Sequence, residues 1–280
     1  MPSEAELLVW DRSVPLVEAV QGVHVVLPSN AGLDRASMEC ARELKLVQQP
    51  AVGTDGIDLG AARERGIPVC NAPGTNPKSV AETALLLILA LARRLREAEK
   101  KFTEARIGEP LGVELCDKTL LIVGMGQSGS RLGRACESLG MRVLGARSST
   151  PRAELLEMCT QADFVSVHCP LNDATRGLIG AEVIAAMKPG AMLVNCSRGA
   201  LLERSAVSDA LATNKLGGLG LDVYWREPWD PADPLFAREN VITLPHIAGS
   251  TVEAFARIAD IVAENTRRVF AGEPLLHRIA

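Results

Sequence analysis

Short apolar runs, rich in valine, isoleucine and leucine, alternate with helical stretches along nearly the whole of this 280-residue chain. The runs lie at residues 7–10, 23–27, 44–47, 67–70, 120–123, 141–145, 164–168, 191–195, 218–223 and 240–244. Segments such as DRASMECARELK and RSAVSDALATNK separate most of them. Because alternating strands and helices build parallel sheets covered on both faces, the pattern predicts an α/β fold with doubly wound parallel sheets.

Length and charge narrow the class of protein. At roughly 150 residues per domain, the length predicts two domains. The apolar fraction of 47% and charged fraction of 23% are typical of a folded protein. A formal net charge of −4 argues against a nucleic-acid partner.

Cysteine spacing and apolar run length bear on the cellular compartment. The seven cysteines are scattered and form no CxxC pair, so we expect neither a disulfide framework nor a metal site. The N-terminus does not look like a signal peptide. The longest apolar run, Val80–Ala92, is 13 residues long, too short to span a membrane. We therefore expect a cytoplasmic protein without a membrane partner.

One predicted helix is apolar on every side. Asn76 can cap it, Pro77 suits its first turn, and VAETALLLILALARRL follows. Such a helix is expected to be buried all round. The pattern fits a domain or subunit interface and a central core helix equally well.

A glycine motif follows the apolar run at 120–123. Gly124, Gly126 and Gly129 form G-x-G-x-x-G between a predicted strand and a predicted helix. The first glycine permits a tight turn, the second lets the backbone approach a pyrophosphate, and the third allows close helix packing. The phosphates would lie near the amides of Gln127 and Ser128. This order favours dinucleotide binding over a purely structural turn.

The end of the next strand bears on which dinucleotide binds. An NAD site usually places an acidic residue there, on the ribose hydroxyls. This chain has Arg147, Ser148 and Ser149 instead. Arginine can attract a 2′-phosphate and the serine hydroxyls can hydrogen-bond it, so we predict NADP(H) over NAD(H). The alternative is an exposed arginine in a surface loop.

Three later strands each lead into a segment with candidate catalytic residues. Arg198, Glu227 and His246 follow the runs at 191–195, 218–223 and 240–244. Loops at the carboxyl ends of parallel strands hold ligands, so the three side chains could converge. Arginine would pair with a 2-keto acid's carboxylate and polarise its carbonyl, and histidine would protonate the carbonyl oxygen. The carboxylate would orient the imidazole and favour its protonated form. Taken singly, each residue also fits an ordinary loop.

The chain resembles the D-isomer-specific 2-hydroxyacid dehydrogenase family, which includes glyoxylate/hydroxypyruvate reductases and phosphoglycerate dehydrogenases. The matching stretches run in order between residues 51 and about 253. They are AVGTDGIDLGAARERGIPVCNAPGTNPKSVAE, GMGQSGSRLG, VHCPLNDATRGLIG, MKPGAMLVNCSRGALLE, LGGLGLDVYWREP and LPHIAGST.

The resemblance implies a role for particular residues. Arg198, Glu227 and His246 would be the catalytic three, and the backbone of Val52 and Gly53 would bind the substrate carboxylate together with Arg198. Further cofactor contacts implied are Cys196, Ser197 and, near the nicotinamide carboxamide, Asp222.

The resemblance also implies the domain organisation. A Rossmann domain at 77–249 would be inserted into a smaller, flavodoxin-like substrate domain made of 1–76 and 250–280. The first segment looks short by one strand–helix unit. The helix after Pro77 would form a homodimer interface.

Three functions remain open from the sequence. The first is an NADP(H)-dependent reductase of a small 2-keto acid such as glyoxylate or hydroxypyruvate. The second is a dehydrogenase of another small anion, of the formate or phosphite type. The third is a dinucleotide-sensing binding protein resembling the family's corepressors, which the presence of all three candidate catalytic residues disfavours.

Overall fold

A computed structural model describes residues 5–280, which form two units. The discontinuous unit comprises residues 5–76 and 251–280, and the central unit comprises Pro77–Ser250. The sequence-based boundaries fall after residues 76 and 249, so the second differs by one residue.

The helices and strands follow the alternation seen in the sequence. The helices are Leu16–Ala19 (α1), Arg35–Cys40 (α2), Leu59–Glu64 (α3), Pro77–Ala92 (α4), Leu95–Thr103 (α5), Gln127–Ser138 (α6), Arg152–Gln161 (α7), Ala181–Ala186 (α8), Arg204–Ala212 (α9) and Val252–Ala271 (α10). The strands are Val25–Val26 (β1), Leu46–Gln48 (β2), Val69–Cys70 (β3), Thr119–Val123 (β4), Arg142–Ala146 (β5), Phe164–Val167 (β6), Ala191–Asn195 (β7), Leu216–Leu221 (β8) and Val241–Thr243 (β9).

The central unit contains a six-stranded sheet in the order β5-β4-β6-β7-β8-β9, with every pairing parallel. Buried side chains of α4 and α6 pack on one face, and those of α7, α8 and α9 pack on the other. The predicted doubly wound parallel sheet is therefore confirmed. The strand order reverses between β4 and β6, and ligands bind at such a switch point, beyond the carboxyl ends of the strands.

The discontinuous unit has a smaller parallel sheet in the order β1-β2-β3. Helix α10 packs against β2, where the buried Asn265 donates from Nδ2 to Oε1 of Gln48 at 2.6 Å. The end of the chain pairs with β3, since the Ile279 amide donates to the Val69 carbonyl at 2.8 Å. These contacts bind the last helix and the tail that follows it to the first segment of the chain.

The strand predicted at residues 7–10 is wrong. The segment has no regular structure, and Leu7, Leu8 and Val9 are 64%, 66% and 82% exposed. A strand needs a neighbouring ladder and a packed face, and this run gains neither within the described residues.

The apolar helix α4 is not buried on all sides within the chain. Leu87, Ile88 and Leu91 are buried against the central sheet and α6, whereas Leu86 and Leu89 are 52% and 38% exposed. Uniform apolar composition therefore hides two different faces. Among the described residues, none of the helices has the length and hydropathy required to cross a bilayer.

Candidate functional site

The glycine motif forms the turn between β4 and α6, at the switch point of the central sheet. Gly124 has a φ of +111°, and a Cβ there would lie 2.5 Å from the Cys169 amide nitrogen. A Cβ on Gly129 would lie 2.3 Å from the Gly124 carbonyl oxygen. Both positions therefore require glycine for steric reasons, as the motif predicts.

Gly126 differs from the other two glycines. It directly precedes α6, and a Cβ built on it would meet no protein atom within 4 Å. No side chain of the described residues caps this helix end, and Gly126 and Gln127 are exposed. The residues fit a dinucleotide because a glycine bordering open space and an uncapped helix N-terminus together form a pyrophosphate cradle.

Arg147 follows β5 beside this cradle. Its Nη1 lies 3.4 Å from the Met125 carbonyl oxygen, in the glycine turn, and its amide donates to Oγ1 of Thr150 at 2.9 Å. Ser148 and Ser149 are exposed next to it. The positive charge and the hydroxyls therefore lie next to the glycine turn.

His168, at the end of β6, connects two serines in this region. Its Nε2 lies 2.9 Å from Oγ of Ser166 and its Nδ1 lies 3.1 Å from Oγ of Ser128. Burial lowers the pKa of His168 to about 4, so the ring is neutral near pH 7. A neutral ring has one donor and one acceptor nitrogen, which suits a bridge from β6 to the first turn of α6.

The loop after β7 carries Cys196, Ser197 and Arg198. Asn195 fixes this loop by accepting from the Ser197 amide at 3.0 Å and donating to the Arg198 carbonyl at 2.8 Å. Ser197 donates from Oγ to the Val167 carbonyl at 2.9 Å, which joins the ends of β7 and β6. Cys196 is buried, and this burial raises the pKa of its thiol. Cys196 therefore behaves as a packing residue beside the loop.

A glycine brings the Arg198 loop against the segment that carries Glu227. A Cβ on Gly199 would lie 2.1 Å from the Tyr224 carbonyl carbon, so only glycine permits this approach. Arg198 is half-buried, and its Nη1 donates to the Ser197 carbonyl at 2.8 Å. Its positive charge is near enough to help lower the pKa of Glu227.

Glu227 and His246 form a hydrogen-bonded pair. The Nδ1 of His246 lies 2.7 Å from Oε2 of Glu227, and Oε1 of Glu227 accepts from the Tyr224 amide at 3.0 Å. Burial alone would raise the pKa of Glu227, but the hydrogen bond and charge of His246, the Tyr224 amide and Arg198 together hold that pKa below its usual value. Glu227 is therefore ionised at neutral pH. The structure thus brings Arg198, Glu227 and His246 together.

Asp222 is fully buried and holds the loop after His246. Its two carboxylate oxygens accept from the amides of Ile247 and Ala248, each at 2.7 Å. Burial raises the pKa of Asp222, against the effect of these hydrogen bonds. The structure therefore gives Asp222 a loop-holding role, and its contact with a nicotinamide carboxamide stays a prediction.

Val52 and Gly53 lie in a loop of the discontinuous unit. The backbone carbonyls of this loop point toward other residues of the same unit, which donate hydrogen bonds to them. The carbonyls of Ala51, Val52 and Gly53 accept from Ala72 N (3.0 Å), Asn71 Nδ2 (2.9 Å) and Gln49 Nε2 (2.9 Å). A trans peptide places its N–H opposite its C=O, so the amides at positions 52–54 point away from these partners. Such a row of amides is suited to binding an anion.

Comparison with known proteins places the chain in a family. Residues 85–248 match the model of the D-isomer specific 2-hydroxyacid dehydrogenase family, NAD binding domain. The chain belongs to the D-isomer specific 2-hydroxyacid dehydrogenase family. The resemblance inferred from the sequence motifs is thereby confirmed.

Several members of this family are similar over most of the chain. D-3-phosphoglycerate dehydrogenase of Archaeoglobus fulgidus is 35% identical over 96% of this chain and 52% of its own length. Glyoxylate reductase of Korarchaeum cryptofilum is 38% identical over 86% of this chain and 77% of its own length. The chain thus spans about half the length of the phosphoglycerate dehydrogenase it matches.

Solved structures of the family share the fold. The TT0316 protein from Thermus thermophilus has a TM-score of 0.88 and 35% identity, covering 98% of this chain and 91% of that one. D-lactate dehydrogenase from Aquifex aeolicus, solved with NAD and lactic acid, has a TM-score of 0.83 and 28% identity. The match covers 94% of this chain and 87% of that one.

Sequence reasoning missed three residues that organise the loops of the candidate residues. Asn195 and Tyr224 organise the loops of Arg198 and Glu227, and Asn71 turns a carbonyl of the Val52 loop inward. A polar residue at the end of a buried strand was the available signal for Asn195. For Tyr224 and Asn71 the sequence carries no such signal, because their roles depend on hydrogen bonds that only the folded chain shows.

Proposed function

We propose that this protein reduces a small 2-keto acid, such as glyoxylate or hydroxypyruvate, to the D-2-hydroxy acid, with NADP(H) as cofactor. The observation that carries this proposal is the 2.7 Å contact between His246 and Glu227 beside Arg198, in the same unit as the dinucleotide cradle. An acid held in place by a carboxylate, next to a guanidinium, is what carbonyl reduction requires.

The chain's own groups account for binding and proton transfer. The bound dihydronicotinamide supplies the hydride to the carbonyl carbon. Arg198 pairs with the substrate and polarises its carbonyl oxygen. Since Nδ1 of His246 faces Glu227, Nε2 is the atom that donates the proton to this oxygen. As the hydride forms the new C–H bond and the carbonyl π electrons move to oxygen, the proton from His246 completes the hydroxyl group, and Glu227 stabilises the imidazolium before this transfer.

The loop at Val52 and Gly53 is our proposed site for the substrate carboxylate. Its support is the set of three carbonyls bound to Ala72, Asn71 and Gln49, which turns the amides at 52–54 outward. An array of amides selects for an anion without demanding a particular side chain on the substrate.

The direct experiment measures NADPH oxidation against a panel of anions. The panel contains glyoxylate, hydroxypyruvate, pyruvate and 3-phosphohydroxypyruvate, the 2-keto acid that corresponds to 3-phosphoglycerate. Formate and phosphite are tested in the direction of oxidation, with NADP⁺ as the cofactor. Turnover of a 2-keto acid supports the proposal. Turnover of formate or phosphite alone favours the second function, and tight dinucleotide binding without any turnover favours a binding protein. The similarity to a glyoxylate reductase over 77% of that protein's length makes glyoxylate the first substrate to test.

The preference for NADP(H) is a proposal that rests on Arg147. Its guanidinium lies beside the Met125 carbonyl of the glycine turn, with two exposed serines next to it, and no acid occupies that strand end. A cation there favours a 2′-phosphate. Comparing kcat/KM for NADPH and NADH tests this, and a clear NADH preference would overturn it.

We also propose a homodimer formed through the exposed face of α4 and the segment after it. Large apolar side chains are exposed along this stretch: Leu86, Leu89, Leu95, Phe102, Ile107, Leu111 and Val113. Apolar surface of this extent is typical of a protein–protein interface. Light scattering after size exclusion should give twice the mass of the 29.8 kDa chain. Replacing Leu86 by Glu should then give monomers, and a monomeric wild type would contradict the proposal.

A cytoplasmic location is proposed as well. Its support is that all seven cysteines are free thiols, four of them buried, as expected in a reducing compartment. Cell fractionation tests it.

A further inference from the structure

His246 has a backbone conformation that other parts of the protein must stabilise. Its φ is +55°, in the left-handed region that non-glycine residues rarely occupy. Such a conformation costs free energy and persists only where surrounding contacts determine it. Neighbouring groups must therefore hold the turn that carries the imidazole.

The Tyr224 hydroxyl contacts this turn at its start. It donates to the Leu244 carbonyl oxygen at 2.7 Å. The same carbonyl accepts the His246 amide at 3.0 Å, so both of its lone pairs are used. The Leu244 amide in turn donates to the Leu221 carbonyl at 2.8 Å, which ties the turn to β8. The Tyr224 hydroxyl and the His246 amide are therefore connected through the carbonyl oxygen that accepts from both of them.

Tyr224 also contacts the other member of the pair. Its amide donates to Oε1 of Glu227 at 3.0 Å. Its buried ring is fixed by stacking on Trp229, with centroids 4.3 Å apart, and by an edge contact with Phe236 at 5.3 Å. Burial raises the pKa of the phenol to about 12, so the hydroxyl stays protonated and can donate. One rigid residue therefore contacts both Glu227 and the His246 turn.

The far side of the turn is held by a different residue. Asp222 accepts from the amides of Ile247 and Ala248, directly after His246. Nothing in these two bonds fixes the carbonyl of Leu244, where the turn begins. The two sets of contacts act on opposite ends of the left-handed residue.

We propose that the Tyr224 hydroxyl is a positioning group that holds the Leu244–His246 turn so that the His246 imidazole stays against Glu227. The consequence for proton donation rests on the proposed function of His246, whereas the effect on the imidazole itself does not. Tyr224 touches neither substrate nor cofactor in this role.

The test uses Tyr224→Phe, which removes only the hydroxyl. In protein labelled with ¹⁵N-histidine, the imidazole proton between His246 and Glu227 gives a resonance assigned by its loss in His246→Asn. We expect this proton to exchange with water about tenfold faster in Tyr224→Phe, the effect of losing one ordinary hydrogen bond. An unchanged resonance and exchange rate would overturn the proposal, whatever the activity.

Thr266→Val is the matched control. Thr266 is buried in the discontinuous unit and donates from Oγ1 to the Val262 carbonyl at 2.7 Å, so this variant also loses one buried hydroxyl bond to a backbone carbonyl. It should lower thermal stability without altering the His246 resonance. An equal change in both variants would show general loosening and would contradict the proposal.

An activity measurement separates positioning from the proposed function. If the protein reduces a 2-keto acid, Tyr224→Phe should lower kcat by about tenfold, with the KM for NADPH unchanged, and have no further effect in a His246→Asn background. Additive effects in the two backgrounds would overturn the proposal. If no substrate is turned over but the resonance changes, the proposed function fails and the positioning role stands.

Discussion

The Nδ1 atom of His246 lies 2.7 Å from Oε2 of Glu227, although the two residues are 19 positions apart along the chain. This contact fixes which ring nitrogen faces the protein and which faces outward. It also places a carboxylate whose pKa is held below its usual value beside the proposed acid. The proposed proton donation by His246, and its proposed dependence on Glu227, rest on this one relationship.

Replacing Glu227 by Gln should lower kcat/KM by about 10- to 100-fold at pH 7.5, because the imidazolium loses its charged partner. Steady-state kinetics at pH 7.5 measure this.

The control for that variant is Glu239→Gln. Glu239 pairs with Lys100 at 2.8 Å on an exposed surface, so its loss removes the same charge away from the site. An unchanged kcat/KM in Glu227→Gln, or an equal fall in the control, would contradict the proposed pairing.

The motif glycines should respond differently to alanine. Gly126→Ala should fold normally, because its Cβ meets no protein atom within 4 Å, yet it should bind NADPH at least about tenfold more weakly because the methyl group occupies the cradle. Gly129→Ala should lose thermal stability, since its Cβ would lie 2.3 Å from the Gly124 carbonyl oxygen. Calorimetry of binding and of unfolding measures both. Normal NADPH affinity in Gly126→Ala would contradict the cradle.

Arg147→Asp should reverse the cofactor preference. The substitution replaces a cation with an anion at the end of β5, and we expect kcat/KM for NADPH to fall by about 100-fold relative to NADH, the effect of about 3 kcal/mol. Arg142→Asp changes the same charge at the opposite end of that strand and should leave the ratio unaltered. A ratio that stays the same in Arg147→Asp would remove Arg147 from the cofactor site.

Acid should destabilise the fold partly through His168. The folded-state pKa of about 4 lies below the usual 6.5, so the unfolded chain binds the proton first as the pH falls. The contribution of His168 to the free energy of unfolding therefore begins to fall near pH 6.5. The loss reaches roughly 2 kcal/mol at pH 5 and is complete below pH 4. Urea unfolding at pH 7 and pH 5 should show this loss in wild type and in the exposed-site control His24→Gln, but not in His168→Gln. Equal losses in all three proteins would contradict it.

The sequence predicts the central sheet well because its strands are continuous runs of mainly apolar residues, and β4 and β6 are buried along their whole length. Residues 191–195 form β7 with the predicted bounds, and β4, β5 and β6 differ from prediction by a single residue at one or both ends. The run at 7–10 has the same composition but gains no partner strand within the described residues. Composition states that a segment is able to form a strand, and only the tertiary pairing decides whether it does.

The candidate site likewise contains residues that the sequence predicts and residues whose roles only the fold reveals. Arg198, Glu227 and His246 could be predicted because each follows a strand whose end the sheet topology fixes. The roles of Tyr224 and Asp222 could not, since each depends on a contact to a loop distant in sequence, whereas Asn195 bonds only to the two residues of its own loop and was simply missed. The exposed face of α4 could not be predicted either, because the helix is apolar throughout. Packing, not residue type, distinguishes the buried Leu87 from the exposed Leu86.

The most direct test of the account is the rate of NADPH oxidation by a 2-keto acid in wild type and in His246→Asn, with NADPH affinity measured in parallel. Asparagine tolerates the left-handed backbone at this position, so the variant should fold. We predict turnover of a 2-keto acid by wild type and a rate at least about 100-fold lower in the variant, with NADPH affinity unchanged. A wild type inactive on every 2-keto acid, or a variant as fast as wild type, would contradict the account.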